Sequence, residues 1–132
     1  MLAGKLLDDA EIIGLADKIF HMIDMKEEFI LDGFPRTSGQ AEWLIAQHKA
    51  GLINITSVIH IEASEEVVAE RLMERGRQDD TKEAIAARFA EYKAVSQPII
   101  SDFQSKGIKV SHINGEGAPE EVHKKIAAVL NT

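Results

Sequence analysis

The sequence predicts an α/β fold in which parallel strands alternate with helices. Short apolar runs at residues 28–32, 57–62 and 108–113 are typical of strands. Longer stretches with helical apolar spacing separate these runs, so no two of them can form a hairpin. Strands joined by right-handed helical crossovers are parallel and carry helices on both faces of their sheet. We therefore predict one sheet built from three recognisable strands.

Five helices are predicted around these strands. Their expected ranges are about 8–24, 38–49, 64–75, 80–106 and 119–130. Asp80 and Glu83 have the form of a capping box at the start of the fourth helix, and Pro98 should bend it near Gln97. Ligands of such sheets bind beyond the carboxyl ends of the strands, where Asp32–Gly33 and Asn114–Gly115 are expected.

The composition narrows the class of protein. A length of 132 residues suits one domain or part of one, and no apolar run or N-terminal segment is typical of a membrane helix or signal peptide. A net charge of -7 argues against general nucleic-acid binding. The absence of cysteine excludes disulfides and thiolate metal sites and fits a cytoplasmic location. The five histidines show no ligand spacing, and we expect them to be structural or surface residues.

Residues 32–36 combine groups that suit phosphate recognition. Asp32 closes an apolar run, Gly33 gives flexibility, and Pro35 stiffens a turn that presents Arg36. An arginine fork can make two charge-assisted hydrogen bonds to a phosphate, and a carboxylate can hold water on Mg²⁺. The alternative is an acid that caps a helix and an arginine in a surface ion pair.

Residues 29–37, together with Gln40 and Ala41, resemble the signature of the adenylate kinase family. Residues 3–9 resemble the stretch in which that family holds the AMP adenosine, and residues 70–80 and 87–89 resemble its phosphate-binding arginine segments. The resemblance implies a P-loop kinase-like sheet and a reversible transfer of a phosphoryl group from ATP to AMP, giving two ADP. A UMP/CMP-type kinase is an alternative, which Gln40 disfavours.

The resemblance also implies an AMP site. Its expected residues are Lys5, Leu6, Leu7, Gly33, Phe34, Pro35, Arg36, Gln40, Arg77 and Arg88. Arg36 would bind the AMP phosphate and Gln40 the adenine, since a carboxamide offers a donor and an acceptor to the base. The alternative for Gln40 is a solvent-facing residue in the first turn of a helix.

Arginines would complete the phosphate site. By resemblance, Arg71, Arg75 and Gly117 contact ATP, while Arg75, Arg77, Arg88 and Asp32 are the expected catalytic residues. Arginine and Mg²⁺ stabilise the charge that spreads over the transferred phosphoryl group. Asp32 and Asp79 would hold Mg²⁺ indirectly, through water. The alternative for the arginines is a solvated helix face with weak ion pairs.

Two features of the family, a complete lid and a Gly-rich phosphate loop, are not found in the sequence. The lid between Arg75 and Arg77 would be minimal, and without cysteine it would hold no zinc. No strand and Gly-rich phosphate loop precede the AMP segment, so the fold is expected to be incomplete, to lack its central strand and to be inactive as this chain alone. Unpaired sheet edges would then permit self-association or strand exchange.

We therefore expect one partial domain. Its AMP-binding part would span about residues 1–27 and its core, with the minimal lid, about residues 28–132. ATP and AMP would be its small-molecule partners, without nucleic acid or membrane. A non-catalytic nucleotide-binding or interaction module derived from the same fold is the alternative from a different functional class.

Overall fold

A computed structural model describes residues 8–24, 26–78 and 81–131. Within these residues it contains α1 (Asp9–Met22), α2 (Ser38–Lys49), β1 (Val58–Glu62), α3 (Glu65–Arg75), α4 (Lys82–Ser105), β2 (Val110–Asn114) and α5 (Pro119–Leu130). The α/β class is confirmed, and each helix begins and ends within two residues of its predicted limits. The chain divides into two compact units, unit 1 (Met1–Ile55) and unit 2 (Thr56–Thr132). The predicted functional division near residue 27 stays a prediction.

Unit 1 is built on the contact between α1 and α2. Asp8 accepts a hydrogen bond from the Glu11 amide while the Glu11 side chain bonds the Asp8 amide, so a capping box starts α1. Thr37 caps α2 in a similar way through the amide of Gln40. The buried side chains of the two helices are Ala16, Phe20, Gln40, Ala41, Leu44 and Ile45. Apolar burial in unit 1 therefore depends on this helix pair.

Unit 2 contains the sheet. β1 and β2 are parallel, as predicted, and their register pairs Val58 with Val110 and His60 with His112. Helices α4 and α5 contact β2, and α3 contacts α4. The buried apolar side chains of this unit are Ile85, Ile99, Ile100, Phe103, Ile108 and Ile113. These helices bury apolar side chains of the sheet, such as Ile113 of β2.

The structure corrects two sequence predictions. Residues 28–32 form no strand, because no strand among the described residues pairs with their backbone, and Ile30 is 80% exposed. The side chain that caps α4 belongs to Thr81, which accepts from the Ala84 amide, whereas Asp80 lies outside the described residues. Thr81 takes this position because its extended backbone and hydroxyl suit an N-cap. Pro98 lies inside the continuous helix α4.

No helix in the described part of the chain is both long and apolar enough to cross a bilayer.

Candidate nucleotide site

The segment Asp32–Thr37, the Arg36 turn, presents a guanidinium at the surface of unit 1. Gly33 has φ +82°, a conformation that residues with a Cβ rarely adopt. The Arg36 Nε donates to the Gly33 carbonyl at 2.8 Å, and a Cβ on Gly33 would lie 3.3 Å from Arg36 Nη2. Glycine therefore gives both the turn and the space that bring the side chain back over its own backbone.

A second set of hydrogen bonds ties the Arg36 turn to both helices of unit 1. The Gln40 Oε1 accepts from the Arg36 amide at 2.7 Å, and its Nε2 donates to Asp9 Oδ1 at 3.2 Å. The Thr37 hydroxyl donates to the same Asp9 oxygen at 2.8 Å. Gly39 permits this approach, since a Cβ there would lie 2.6 Å from Asp9 Oδ2. One carboxylate on α1 thus holds the N-terminal turn of α2.

Aromatic contacts hold the other side of the turn. Phe34 meets the ring of Trp43 edge-on at 6.1 Å between centroids. Trp43 stacks on Phe20 at 5.7 Å, and Phe29 meets Phe20 at 6.0 Å. Offset and edge-to-face pairs of this kind are favourable beyond their buried area. Both ends of the turn are therefore anchored, while the side chain of Arg36 is exposed.

The structure brings together Arg36 and Gln40, two of the residues predicted to contact AMP. The alternative for Gln40 is wrong, because the residue is only 5% exposed. Its carboxamide is engaged within unit 1, so binding adenine through the same atoms would require exchange of those hydrogen bonds. Lys5, Leu6 and Leu7 lie outside the described residues. The predicted nucleotide roles themselves stay predictions.

Asp9 and Thr37 lie in segments that resemble the family, but sequence reasoning assigned no contact to either residue. A threonine directly before the α2 pattern is a typical N-cap signal, so Thr37 could have been found from the sequence. Asp9 had only the signal of an acid in the first turn of a helix. Its contacts with Thr37 and Gln40 span 28 and 31 residues and depend on how the helices pack.

The other predicted arginines and Gly117 lie in unit 2. Arg71 Nη2 donates to the Gly117 carbonyl at 3.3 Å, so two residues predicted to contact ATP are in direct contact across 46 positions of sequence. Arg75 ends α3, where Gly76 adopts φ +69°, and the exposed Arg77 follows. On the neighbouring helix α4, Arg88 Nε donates to the Ala84 carbonyl at 3.4 Å. Asp79, the second predicted Mg²⁺ residue, lies outside the described residues.

The loop after β2 is tied to the start of α3. Glu116 Oε1 accepts from the Ser64 amide at 2.7 Å, while the Glu116 amide donates to Asn114 Oδ1 at 2.8 Å. The hydrogen bonds from Ser64 lower the pKa of the Glu116 carboxyl, and the positive charge of Arg71 acts in the same direction. A polar pocket of about 430 Å³ lies at this end of the two strands, lined by Glu62, Ala63, Ser64, His112, Asn114 and Glu116. It lies at the carboxyl ends of the strands, where ligands of such sheets bind.

Acidification should release this loop from α3. Because the pKa of Glu116 is lowered in the fold, its contact stabilises the loop above the ordinary titration range of a glutamate and is lost as the pH falls through the lowered pKa. The amide proton resonance of Ser64, followed by NMR as the solution is acidified, should move with a midpoint below the ordinary glutamate pKa. In Glu116→Gln this transition should disappear. A Ser64 midpoint at or above the ordinary glutamate value would contradict the contact.

Two histidines and a glutamate meet on one face of the sheet. His60 and Glu62 are two residues apart on β1, and His112 lies opposite His60 on β2. His112 Nδ1 is 2.6 Å from Glu62 Oε1, and His60 Nδ1 is 3.1 Å from the same oxygen. The hydrogen bond from His112 is the main reason that the pKa of the Glu62 carboxyl is lowered.

Sequence reasoning missed this cluster, which we call the His60 cluster (His60, Glu62 and His112). The available signal was the His-x-Glu spacing within a predicted strand, which places both side chains on one face. The third member required the register between β1 and β2, which a single sequence does not show. The cluster contains no thiolate, so it is not the zinc-binding lid that the absence of cysteine argues against.

Comparison with known proteins shows one consistent family. The adenylate kinase family model matches residues 1–108. The chain is 37% identical to an adenylate kinase of Prochlorococcus marinus, over 99% of this chain and 70% of that protein. It is 35% identical to adenylate kinase 1 of a Nostoc species, over 98% of this chain and 70% of that protein. It is also 35% identical to an adenylate kinase of Corynebacterium aurimucosum, over 93% of this chain and 66% of that protein. The chain thus spans about 70% of the length of the first of these relatives.

Proposed function

The chain belongs to the adenylate kinase family, and we propose that its residues serve the reversible transfer of a phosphoryl group from ATP to AMP. The family is one of phosphotransferases, and the relatives named above are adenylate kinases. The proposal assigns the AMP phosphate to Arg36 and the ATP side to Arg71, Arg75 and Gly117. A cytoplasmic location belongs to the same proposal.

The observation that carries the proposal is the orientation of Arg36. Its Nε is bound to the Gly33 carbonyl, and no described residue is hydrogen-bonded to its two terminal nitrogens. A guanidinium held by one nitrogen presents the other two as a fork, the geometry that makes parallel hydrogen bonds to a phosphate. Because the Asp9 and Trp43 contacts hold the turn, little side-chain freedom would be lost on binding.

On the ATP side, the supporting observation is the contact between Arg71 and the loop after β2. The hydrogen bond to the Gly117 carbonyl holds the Arg71 guanidinium beside this loop. A guanidinium plane can stack on an aromatic base, and a loop carbonyl can accept from an exocyclic amine. Arg75, Arg77 and Arg88 would place positive charge beside the transferred phosphoryl group. Enzymes catalyse phosphoryl transfer mainly by positioning the reactants and by stabilising this charge.

Mg²⁺ is the cofactor that the proposal includes. The carboxylate of Asp32 is exposed at the start of the Arg36 turn, and carboxylate oxygens with water are the ligands that Mg²⁺ prefers. Bound with ATP, the ion would neutralise charge on the phosphates. The residues of the chain would orient the nucleotide, and Asp32 would hold a water molecule at its carboxylate.

Replacing Arg36 tests the proposal. AMP should bind to the 132-residue chain in isothermal titration calorimetry, and Arg36→Ala should lower the affinity at least tenfold because the phosphate loses its charge-assisted hydrogen bonds. The matched control is Lys18→Ala, which removes an exposed positive charge from α1 in the same unit. AMP should bind more tightly than CMP or UMP if Gln40 reads the base.

The other outcomes of this experiment separate the alternatives. If Arg36→Ala and Lys18→Ala lowered the AMP affinity equally, AMP binding would depend only on the general positive charge of the surface. That result would contradict a phosphate site at Arg36. No AMP binding to the wild-type chain would favour an interaction module. Since the family's phosphate loop is not found in these residues, we expect binding without turnover, and turnover at a normal rate would contradict that part. Self-association through a sheet edge stays a prediction.

A further inference from the structure

The His60 cluster concentrates three electron-pair donors in a small volume. The Nδ1 atoms of His60 and His112 are 3.4 Å apart, and both lie within 3.1 Å of Glu62 Oε1. All three donor atoms lie within 4.8 Å of one another. Without a cation between them, such atoms repel one another, so a proton or a metal ion has to lie among them.

The hydrogen bonds around the cluster indicate where its protons lie. His60 Nε2 is 3.1 Å from the Tyr92 hydroxyl on α4. When the Tyr92 hydroxyl donates to this nitrogen of the neutral ring, His60 carries its hydrogen on Nδ1 and donates to Glu62 Oε1 at 3.1 Å. His112 Nδ1–H donates to the same oxygen at 2.6 Å. Two hydrogens thus occupy the place that a metal ion would take.

The spacing of the donor atoms fits a small divalent ion. Two ligands at about 2.0–2.1 Å from a tetrahedral Zn²⁺ lie about 3.3–3.4 Å apart. The two Nδ1 atoms already have this separation, and His60 Nδ1 and Glu62 Oε1 are close to it. Only the His112–Glu62 pair must open from its hydrogen-bonded distance, and both of these side chains are about half exposed. Little rearrangement is required.

We infer that the His60 cluster is a binding site for a first-row transition-metal ion, with Zn²⁺ as the reference ion. Two imidazoles and one carboxylate are ligands that Zn²⁺, Co²⁺, Ni²⁺ and Cu²⁺ accept, whereas Mg²⁺ prefers oxygen ligands. On binding, the ion replaces the Nδ1 hydrogens of His60 and His112, and each neutral ring carries its hydrogen on Nε2 instead. No net proton is released in that exchange.

The surroundings of the cluster support this site. Tyr92 would act as the outer partner of His60, since a metal-bound imidazole usually donates its other N–H to an oxygen. Glu62 and His112 also line the pocket at the carboxyl ends of the strands. Three protein ligands leave at least one coordination position for water or a small anion. The inference concerns unit 2 alone and does not depend on the proposed nucleotide chemistry.

Metal titration of the untagged, chelator-treated chain tests the inference. Calorimetry with Zn²⁺ should give one site per chain, and His112→Gln or Glu62→Gln should lower its affinity at least tenfold. Tyr92→Phe should lower it by about tenfold, through loss of the outer hydrogen bond. The matched control is His123→Gln, which removes an exposed histidine of α5 outside the cluster. A large excess of Mg²⁺ should leave Zn²⁺ binding unchanged.

NMR identifies the ligands directly. Zn²⁺ should shift the Nδ1 resonances of both His60 and His112, and in the bound form both rings should carry their hydrogen on Nε2. Far-UV circular dichroism of each variant separates a lost ligand from a lost fold. Equal Zn²⁺ affinity in the wild type and in a folded His60→Gln/His112→Gln double variant would overturn the inference, as would shifts confined to other histidines.

Discussion

Replacing Phe103 with alanine should lower the free energy of unfolding by about 3–5 kcal/mol, the range for removing a fully buried aromatic ring. Phe103 is 2% exposed and, with Ile85, is one of the two largest fully buried side chains among the described residues. It lies on α4, which contacts β2, and its carbonyl accepts from the Ile108 amide ahead of β2. Loss of the ring would leave a cavity in the core of unit 2.

Urea denaturation followed by far-UV circular dichroism measures this effect, and amide hydrogen exchange of β1 and β2 localises it to unit 2. The matched control is Met73→Ala, because Met73 is 48% exposed and its truncation should cost less than about 1 kcal/mol. A loss from Phe103→Ala no larger than that from Met73→Ala would mean that α4 does not cover the sheet as described. The exchange rates of Asp9–Met22 should change little, since α1 belongs to unit 1.

Replacing Gln40 with alanine should destabilise unit 1 by about 1–3 kcal/mol. The substitution removes two partly buried hydrogen bonds, one from the Arg36 amide and one to Asp9 Oδ1, and each such bond contributes about 0.5–1.5 kcal/mol. The single tryptophan of the chain, Trp43, lies in α2, so its fluorescence during urea denaturation reports on this unit. AMP affinity should fall as well, because the Arg36 turn loses one of its anchors.

Two further variants test this explanation. Gln40→Glu keeps an acceptor for the Arg36 amide but places a second carboxylate beside Asp9, so it should be more destabilising at pH 7 than at pH 4. Gln104→Ala is the matched control, since Gln104 is exposed in the last turns of α4. If Gln40→Ala and Gln104→Ala had the same effect, the bridge between α1 and the Arg36 turn would have no energetic role.

The helices of this protein could be predicted closely because their signals are local. Ser64 caps α3 through the amide of Val67, and Pro119 opens α5, both within one turn of the position they define. Alternating strand and helix patterns were also sufficient for the parallel sheet of β1 and β2. Backbone conformation over a few residues depends mainly on side chains within those residues, so such predictions require no knowledge of packing.

The candidate site was predictable only in its residue types. Arg36 and Gln40 could be selected from the sequence, but the burial of Gln40 and its contact with Asp9 arise from the packing of α1 against α2. For the apolar run at residues 28–32, the prediction of a strand was wrong. The run has strand composition but forms no strand, because a strand needs a partner for its backbone groups, and composition does not provide one.

Local patterns in the sequence were enough to predict the α/β class, the positions of the helices and the resemblance carried by residues 29–41. Tertiary structure alone decided which distant side chains meet: Asp9 with Gln40, Arg71 with Gly117, and His60 with His112. These contacts join residues 31–52 positions apart. Helix packing and strand register bring them together, and both depend on interactions spread over the whole of each unit rather than on any local pattern.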